Sequence, residues 1–378
     1  MPDWTSSMQQ TFEYYTVNPI TWKDEKRLTK VKSSSIDWDS SSKTLCSATI
    51  ELDDDINECY IRIYLITIQN GITEKHPLGT FLVQTLPTSF DGKKKSFSVD
   101  AYSPLLELNE KYPPLGYYII KDKQKYPIGV EYTNIMDIAY KLTKENLRAP
   151  VVKPSCDKTL YDHFVSDPND TYLTLITDLM ANAKYGFGLD ELGKVIFVPQ
   201  KKIEAMQPIW TYTDDNSSIL YPDIDMDRDL YGIPNVVEVF ASNGTDLIHS
   251  VIENNDINSP TSIKNRGRRI VHRDNDPEIT GIPSEKDKAQ AYVDEYAKAL
   301  LAKLSSLEHT ITYKHGYCPV RIGDCIRINS ERFGLNNVKA RVISQNIKCV
   351  PGCPVTEKAV YTTKLWLGDY ELWVYQIK

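Results

Sequence analysis

The chain has 378 residues, 41% of them hydrophobic, enough for several cores of roughly 100 to 150 residues each, so two to four domains are expected. Its 44 basic residues against 51 acidic ones leave a net charge of −7, which argues against sequence-specific nucleic-acid binding, because phosphate backbones reward dense Lys and Arg surfaces. No apolar run approaches the ~20 residues that span a bilayer, and Met1-Pro2-Asp3-Trp4-Thr5 lacks the basic-then-apolar layout of a secretory signal. The expectation is a soluble protein without a membrane segment, made in a cytoplasm.

From the amino end, Thr11 to Trp22 is a polar and aromatic lead-in, and short alternating strands follow. In Leu45 to Leu52, residues Cys46, Ala48, Ile50 and Leu52 share one face and Ser47, Thr49 and Glu51 the other, the pattern of a half-buried strand. Tyr60 to Ile68 is almost continuously apolar and ends at the turn Gln69-Asn70-Gly71, so it reads as a strand covered on both faces or facing a neighbouring subunit. Gly79–Gln84 and Ser96–Tyr102 repeat the strand signal around a turn at Asp91-Gly92. These strands predict a compact first β-barrel over residues 18–110, closed by Ser103-Pro104-Leu105-Leu106, where Ser as cap and Pro at the first helical position start a short helix.

The composition then shifts toward Tyr, Lys and Pro. Helical patterns at Thr133–Leu142 and Thr171–Lys184, and a hairpin from Tyr185–Leu189 into Leu192–Pro199, predict an α+β middle domain over 111–207. Strands resume at Asp223 and Asn235–Phe240, and Ile252 to Ile282 is polar and turn-rich. An amphipathic helix is expected from Ser284 to Leu307, with Ala289, Tyr292, Val293, Tyr296, Ala297, Leu300, Leu301 and Leu304 on one stripe and Ser284 accepting from the amide of Asp287. Strands at His309–Tyr313, Cys325–Asn329, Val338–Lys348 and Val360–Leu367 follow. The fold class read from this order is α+β, mainly β: a second barrel from 208–241 and 308–370, interrupted by a helical insertion at 242–307.

Motifs for chemistry are sparse. Cys318, Cys325, Cys349 and Cys353 are the one candidate zinc set, but six residues separate the first two where structural pairs sit two to four apart. Reduced, buried thiols around a Pro-Gly turn are the preferred reading, with no metal and no cofactor. The histidines at 76, 163, 249, 272, 309 and 315 form no zinc-protease or nucleophile pattern, and His309 and His315, bracketing a strand, read as surface or interface residues. Tyr185-Gly186-Phe187-Gly188 is better explained by a hairpin than by a phosphate loop. Lys93-Lys94-Lys95 and Arg266-Gly267-Arg268-Arg269 read as exposed charged loops. Asp223, Asp225, Asp227 and Asp229 fail the spacing of a calcium loop, which wants Gly at its sixth position and Glu at its twelfth; on an extended segment all four would line one face.

Two strand-rich regions around an α+β segment, the second split by a helical insertion, resemble the baseplate or tail hub proteins of tailed bacteriophages. The stretches that carry the likeness are Val99-Asp100-Ala101-Tyr102-Ser103-Pro104-Leu105-Leu106, Ile233-Pro234-Asn235-Val236-Val237-Glu238-Val239, the helix from Ala289, and Ile322-Gly323-Asp324-Cys325-Ile326-Arg327-Ile328. The resemblance implies a homotrimeric structural virion protein at the distal end of a phage tail, similar to the upper part of contractile-injection spikes, whose six barrels adapt a sixfold tail tube to a threefold spike or fibre. Implied partners are the tail tube or distal tail protein, the tape-measure protein, a central spike or fibre, and phage DNA in non-specific passage, with the four aspartates as a channel lining that repels phosphate. Assembly would take place in the host cytoplasm. No enzymatic activity is expected, and with the chain stopping at Lys378 any lytic or receptor-binding region would belong to another polypeptide. The alternatives are a tail-associated cell-wall hydrolase using the middle domain, and a host-surface adhesin.

Overall fold

A computed structural model of the chain describes residues 2–363 apart from 54–55, 86, 91, 93–94, 120–133, 161–163, 216–217, 229, 276, 278–281 and 306. Expectations that fall on Asp91, Lys93, Lys94, Thr133, His163, Asp229 and 364–370 therefore lie outside the described residues.

The first strands are β1 (Gln9–Val17), β2 (Asp24–Leu28), β3 (Val31–Asp39), β4 (Cys46–Leu52), β5 (Tyr60–Gln69), β6 (Ile72–Thr85), β7 (Thr88–Phe90) and β8 (Lys95–Tyr102). A middle stretch follows with α1 (Leu106–Asn109), β9 (Tyr118–Ile119), α2 (Ile135–Asn146), β10 (Phe164–Val165), α3 (Tyr172–Ala181), β11 (Tyr185–Leu189) and β12 (Val195–Pro199). Then come β13 (Trp210–Thr213), β14 (Leu220–Arg228), β15 (Val236–Ser242), β16 (Leu247–Glu253), α4 (Ile263–Arg266), β17 (Val271–Asp274) and α5 (Lys286–Leu304). The chain continues through β18 (Leu307–Gly316), β19 (Cys325–Ser330), β20 (Leu335–Lys348) and β21 (Pro354–Thr363). The fold is thus mainly β, and no helix among the described residues is long and apolar enough to cross a membrane.

The chain divides into two compact units, Met1–Ile224 with Thr312–Ala359, and Asp225–Ile311 with residues from Val360 onward. The long sheet pairs its strands as one open series, β14-β18-β21-β20-β3-β4-β8-β6-β5-β1-β2, with β13 joined in parallel to β19 and β19 to β20. The two expected strand groups are continuous through antiparallel pairing of β20 with β3, from Ser344 opposite Asp39 to Lys348 opposite Ser35. The local patterns explain the elements. In β4, Cys46, Ala48, Ile50 and Leu52 are all buried, as the alternation predicts. The β5–β6 hairpin turns on Asn70 and Gly71, both at positive φ (51° and 78°), the backbone that a two-residue Asn-Gly turn requires. Asn134 caps α2 by accepting from the Asp137 amide at 2.6 Å, and Thr171 caps α3 through the Thr174 amide.

Among the described residues, the middle stretch shares its core with the first strands. Leu173, Leu175, Ile176 and Leu179 of α3 and Met136 and Ala139 of α2 share one cluster with Ile50, Ile63, Leu65 and Phe81 of the first strands. The β11–β12 hairpin tip is held as firmly. Trp22 Nε1 and Arg62 Nη2 both donate to the Leu192 carbonyl, at 2.7 and 3.0 Å, and Arg62 also pairs with Asp24. Gly193, at φ +75°, fits so closely that a Cβ there would stand 2.8 Å from Thr80 Cβ.

In the second unit, β15 pairs with β16 on one side and in parallel with β17 on the other, a three-stranded sheet of its own. This corrects the placement of Asn235–Phe240 in the second barrel: Val237, Val239, Ala241 and Ile248 bury their faces against Ala289, Val293, Ala297 and Leu301 of α5, so sheet and helix complete each other. The expected insertion thus begins at β15, and the polar stretch after Ile252, which showed no strand, holds β17. The helix start is also corrected. Glu285, not Ser284, occupies the cap position and makes no side-chain cap bond, because its carboxylate pairs with Lys288 while the Ser284 carbonyl accepts from Asn243.

Candidate functional site

Two places gather chemistry. The first is β14, an outer strand of the long sheet. Its extended backbone sends alternate side chains to opposite faces, so Tyr221, Asp223, Asp225 and Asp227 share the exposed face while Ile224 and Met226 are half-buried. Three of the four predicted aspartates therefore form one acidic row; Asp229 lies outside the described residues.

The second place is a sealed polar cluster in the first unit, built on the Tyr313–Gly316 part of β18; His309, Ile311 and Tyr361 belong to the second unit. His309, Ile311, Tyr313 and His315 alternate along β18 and are all buried, which corrects the expectation that the two histidines are surface residues. His309 stacks on Tyr361, with ring centroids 4.6 Å apart. His315 sits with Nδ1 2.7 Å from the Gly316 carbonyl oxygen and Nε2 3.5 Å from Glu357 Oε2. Glu357, between Val355 and Ala359 on the inner face of β21, accepts from the Tyr313 hydroxyl and from Gln345 Nε2 at 2.5 Å. Tyr212 of β13 brings its hydroxyl within 3.3 Å of both His315 Nε2 and Cys318 Sγ. Burial pushes the Tyr212 and Tyr313 hydroxyls well above the usual phenol range, with the Glu357 charge adding to it, so both remain donors.

Cysteine, histidine and glutamate side by side are the parts of a nucleophilic triad. Here they cannot act as one, since His315 and Glu357 are 0% exposed and Cys318 only 1%, which leaves no approach for a substrate. Alternation did hold a signal for this cluster: the inward face of β18 reads His, Ile, Tyr, His, and a histidine in an apolar row calls for a buried acidic partner.

Other predicted candidates stay apart. Among the described residues no three or more His, Cys, Asp or Glu side chains converge on a point where a metal ion would sit. Cys318 belongs to the tyrosine cluster and Cys325 to β19, while Cys349 and Cys353 flank the turn between β20 and β21; all four are buried free thiols. Burial raises the Cys349 thiol to about 11. Gly186 and Gly188 lie inside β11 rather than in a phosphate-binding turn. In the basic run, Arg266 donates to the Ile233 and Leu230 carbonyls and Arg269 pairs with Glu253, so both serve the second unit itself.

The sequence matches no protein-family profile and no curated protein. Solved structures do match. A tail protein from Neisseria meningitidis MC58 is similar over 93% of this chain and 96% of its own, at 13% identity and a TM-score of 0.60. The prophage MuSo2 tail protein from Shewanella oneidensis is similar over 93% and 98%, at 11% identity and a TM-score of 0.57. A chain of the Francisella PdpA-VgrG complex is matched over 94% of this chain but only 53% of its own length, at 10% identity and a TM-score of 0.53. The chain therefore shares its fold with these two tail proteins and with about half of a chain of the PdpA-VgrG complex.

Proposed function

We propose that the chain is a structural tail protein of a bacteriophage, a homotrimeric hub at the distal end of the tail that adapts a sixfold tube to a threefold spike or fibre. The observation that carries this reading is the likeness to two tail proteins over 93% of this chain and over 96% and 98% of theirs. The strand groups β1–β8 and β13, β14, β18–β21 would be its two barrel modules, so that three copies imitate six. Its partners would be the tail tube or distal tail protein, the tape-measure protein and a central spike or fibre.

The row Tyr221, Asp223, Asp225 and Asp227 suits the wall of a DNA conduit, with Asp229 as an expected fourth carboxylate, because fixed negative charge keeps phosphates from adhering. Sedimentation of the purified chain, alone and with its tail partners, tests the assembly: three copies of the 43.2 kDa chain are expected, and a monomer under both conditions removes the hub reading. Replacing Asp223, Asp225 and Asp227 by Asn should leave particles intact but slow genome release, and unchanged release kinetics would remove the channel role.

A further inference from the structure

We propose that the strands β13, β18, β20 and β21 are locked together by a buried imidazolium–carboxylate pair, His315 with Glu357, so that this part of the fold holds one proton that the unfolded chain releases. The argument starts from hydrogen-bonding capacity. A carbonyl oxygen only accepts, so the 2.7 Å contact to the Gly316 oxygen places a hydrogen on Nδ1 of His315. Its Nε2 faces Glu357 Oε2 at 3.5 Å. Glu357 is itself surrounded by donors: the Tyr313 hydroxyl, the Tyr212 hydroxyl at 3.5 Å, and Gln345 Nε2, whose other contact is the Val320 carbonyl at 3.0 Å. Such a shell fills the acceptor sites of a carboxylate with donors. With its hydrogen given to Glu357, the Tyr212 hydroxyl 3.3 Å from Nε2 offers that nitrogen only its oxygen, so a bare lone pair on Nε2 would face negative charge from both neighbours, whereas a second hydrogen there turns both contacts into attractions.

The groups around the ring agree. Tyr212 on β13, Tyr313 on β18, Cys318 in the following loop and Glu357 on β21 face it, Gln345 on β20 is uncharged, and Asp324 before β19 adds negative charge near Glu357. No cation is among them. Burial opposes the charge on the ring, but hydrogen bonds to Cys318 and Glu357 and the Glu357 charge outweigh it and lift the imidazole to about 10. An unfolded histidine titrates near 6.5. A folded value above the unfolded one gives stability that is complete below about pH 6.5 and is lost as pH rises through about 10.

Two measurements test the proposal. In protein labelled with ¹⁵N at histidine, one imidazole at pH 8.5 should be protonated on both nitrogens, and that signal should vanish in His315→Gln and in Glu357→Gln. A wild-type spectrum with no doubly protonated ring overturns the proposal whether or not either variant folds. In urea titrations between pH 7 and 10, the wild-type folded-to-unfolded ratio should fall by up to about tenfold per pH unit more steeply than that of His315→Gln. Equal slopes would overturn it as well.

Discussion

The interior around β4, β5, β6 and β8 is filled by Ile50, Leu52, Ile61, Ile63, Leu65, Phe81, Leu82 and Val99, whereas the interior around β18, β20 and β21 mixes Ile311, Val342 and Ala359 with Tyr313, His315, Gln345 and Glu357. Both belong to one continuous sheet. The apolar half gains its stability from area removed from water and from close packing, neither of which depends on a particular partner. The polar half depends on every donor finding its acceptor, since a buried group left alone costs more than its bond contributes. One half is therefore tolerant of reshuffling, and the other specifies a single arrangement of strands.

Breaking the polar half should cost most. Glu357→Leu removes the acceptor of Tyr313 and Gln345 and strands a buried imidazolium, so urea unfolding should show a loss of about 3–5 kcal/mol. The double variant His315→Leu with Glu357→Leu should recover the part due to the stranded imidazolium, while Tyr313 and Gln345 remain without their acceptor. If the double variant is no better than the single one, the cost lies in packing and the contrast between the halves disappears. In the apolar half, Ile63→Ala should cost about 2–4 kcal/mol, the cost of lost burial plus a cavity. That loss should be the same at pH 7 and pH 9.5, where the polar half should have weakened.

The same contrast explains what could be read in advance. The alternation of β4, the Asn70-Gly71 turn, the helical pattern from Thr171 and in outline the α5 stripe are local signals, set by residues within a few positions of each other. Partner choice is not local. Val236–Ser242 has the pattern of a half-buried strand wherever it goes, and its antiparallel partner β16, its parallel partner β17 and the apolar face of α5 fix it in a sheet of its own. Glu357 is likewise one acid among 51 until folding brings β13, β18 and β20 around it. The acidic row on β14 was legible because it needs only one extended strand.

A third change sharpens the comparison at a place where neither interior is opened. Gly193→Ala, at the tip of the β11–β12 hairpin, adds one methyl group at φ +75° and 2.8 Å from Thr80 Cβ, so the tip must shift away from Trp22, Arg62 and Thr80. The expected loss is about 1–3 kcal/mol, since left-handed backbone and a small overpacking add together. Hydrogen exchange locates it: amides of β11 and β12 should exchange faster, while those of β20 and β21 stay protected. Faster exchange in β20 and β21 as well would mean that the hairpin tip supports the polar half too, and that the two interiors are less independent than their fillings imply.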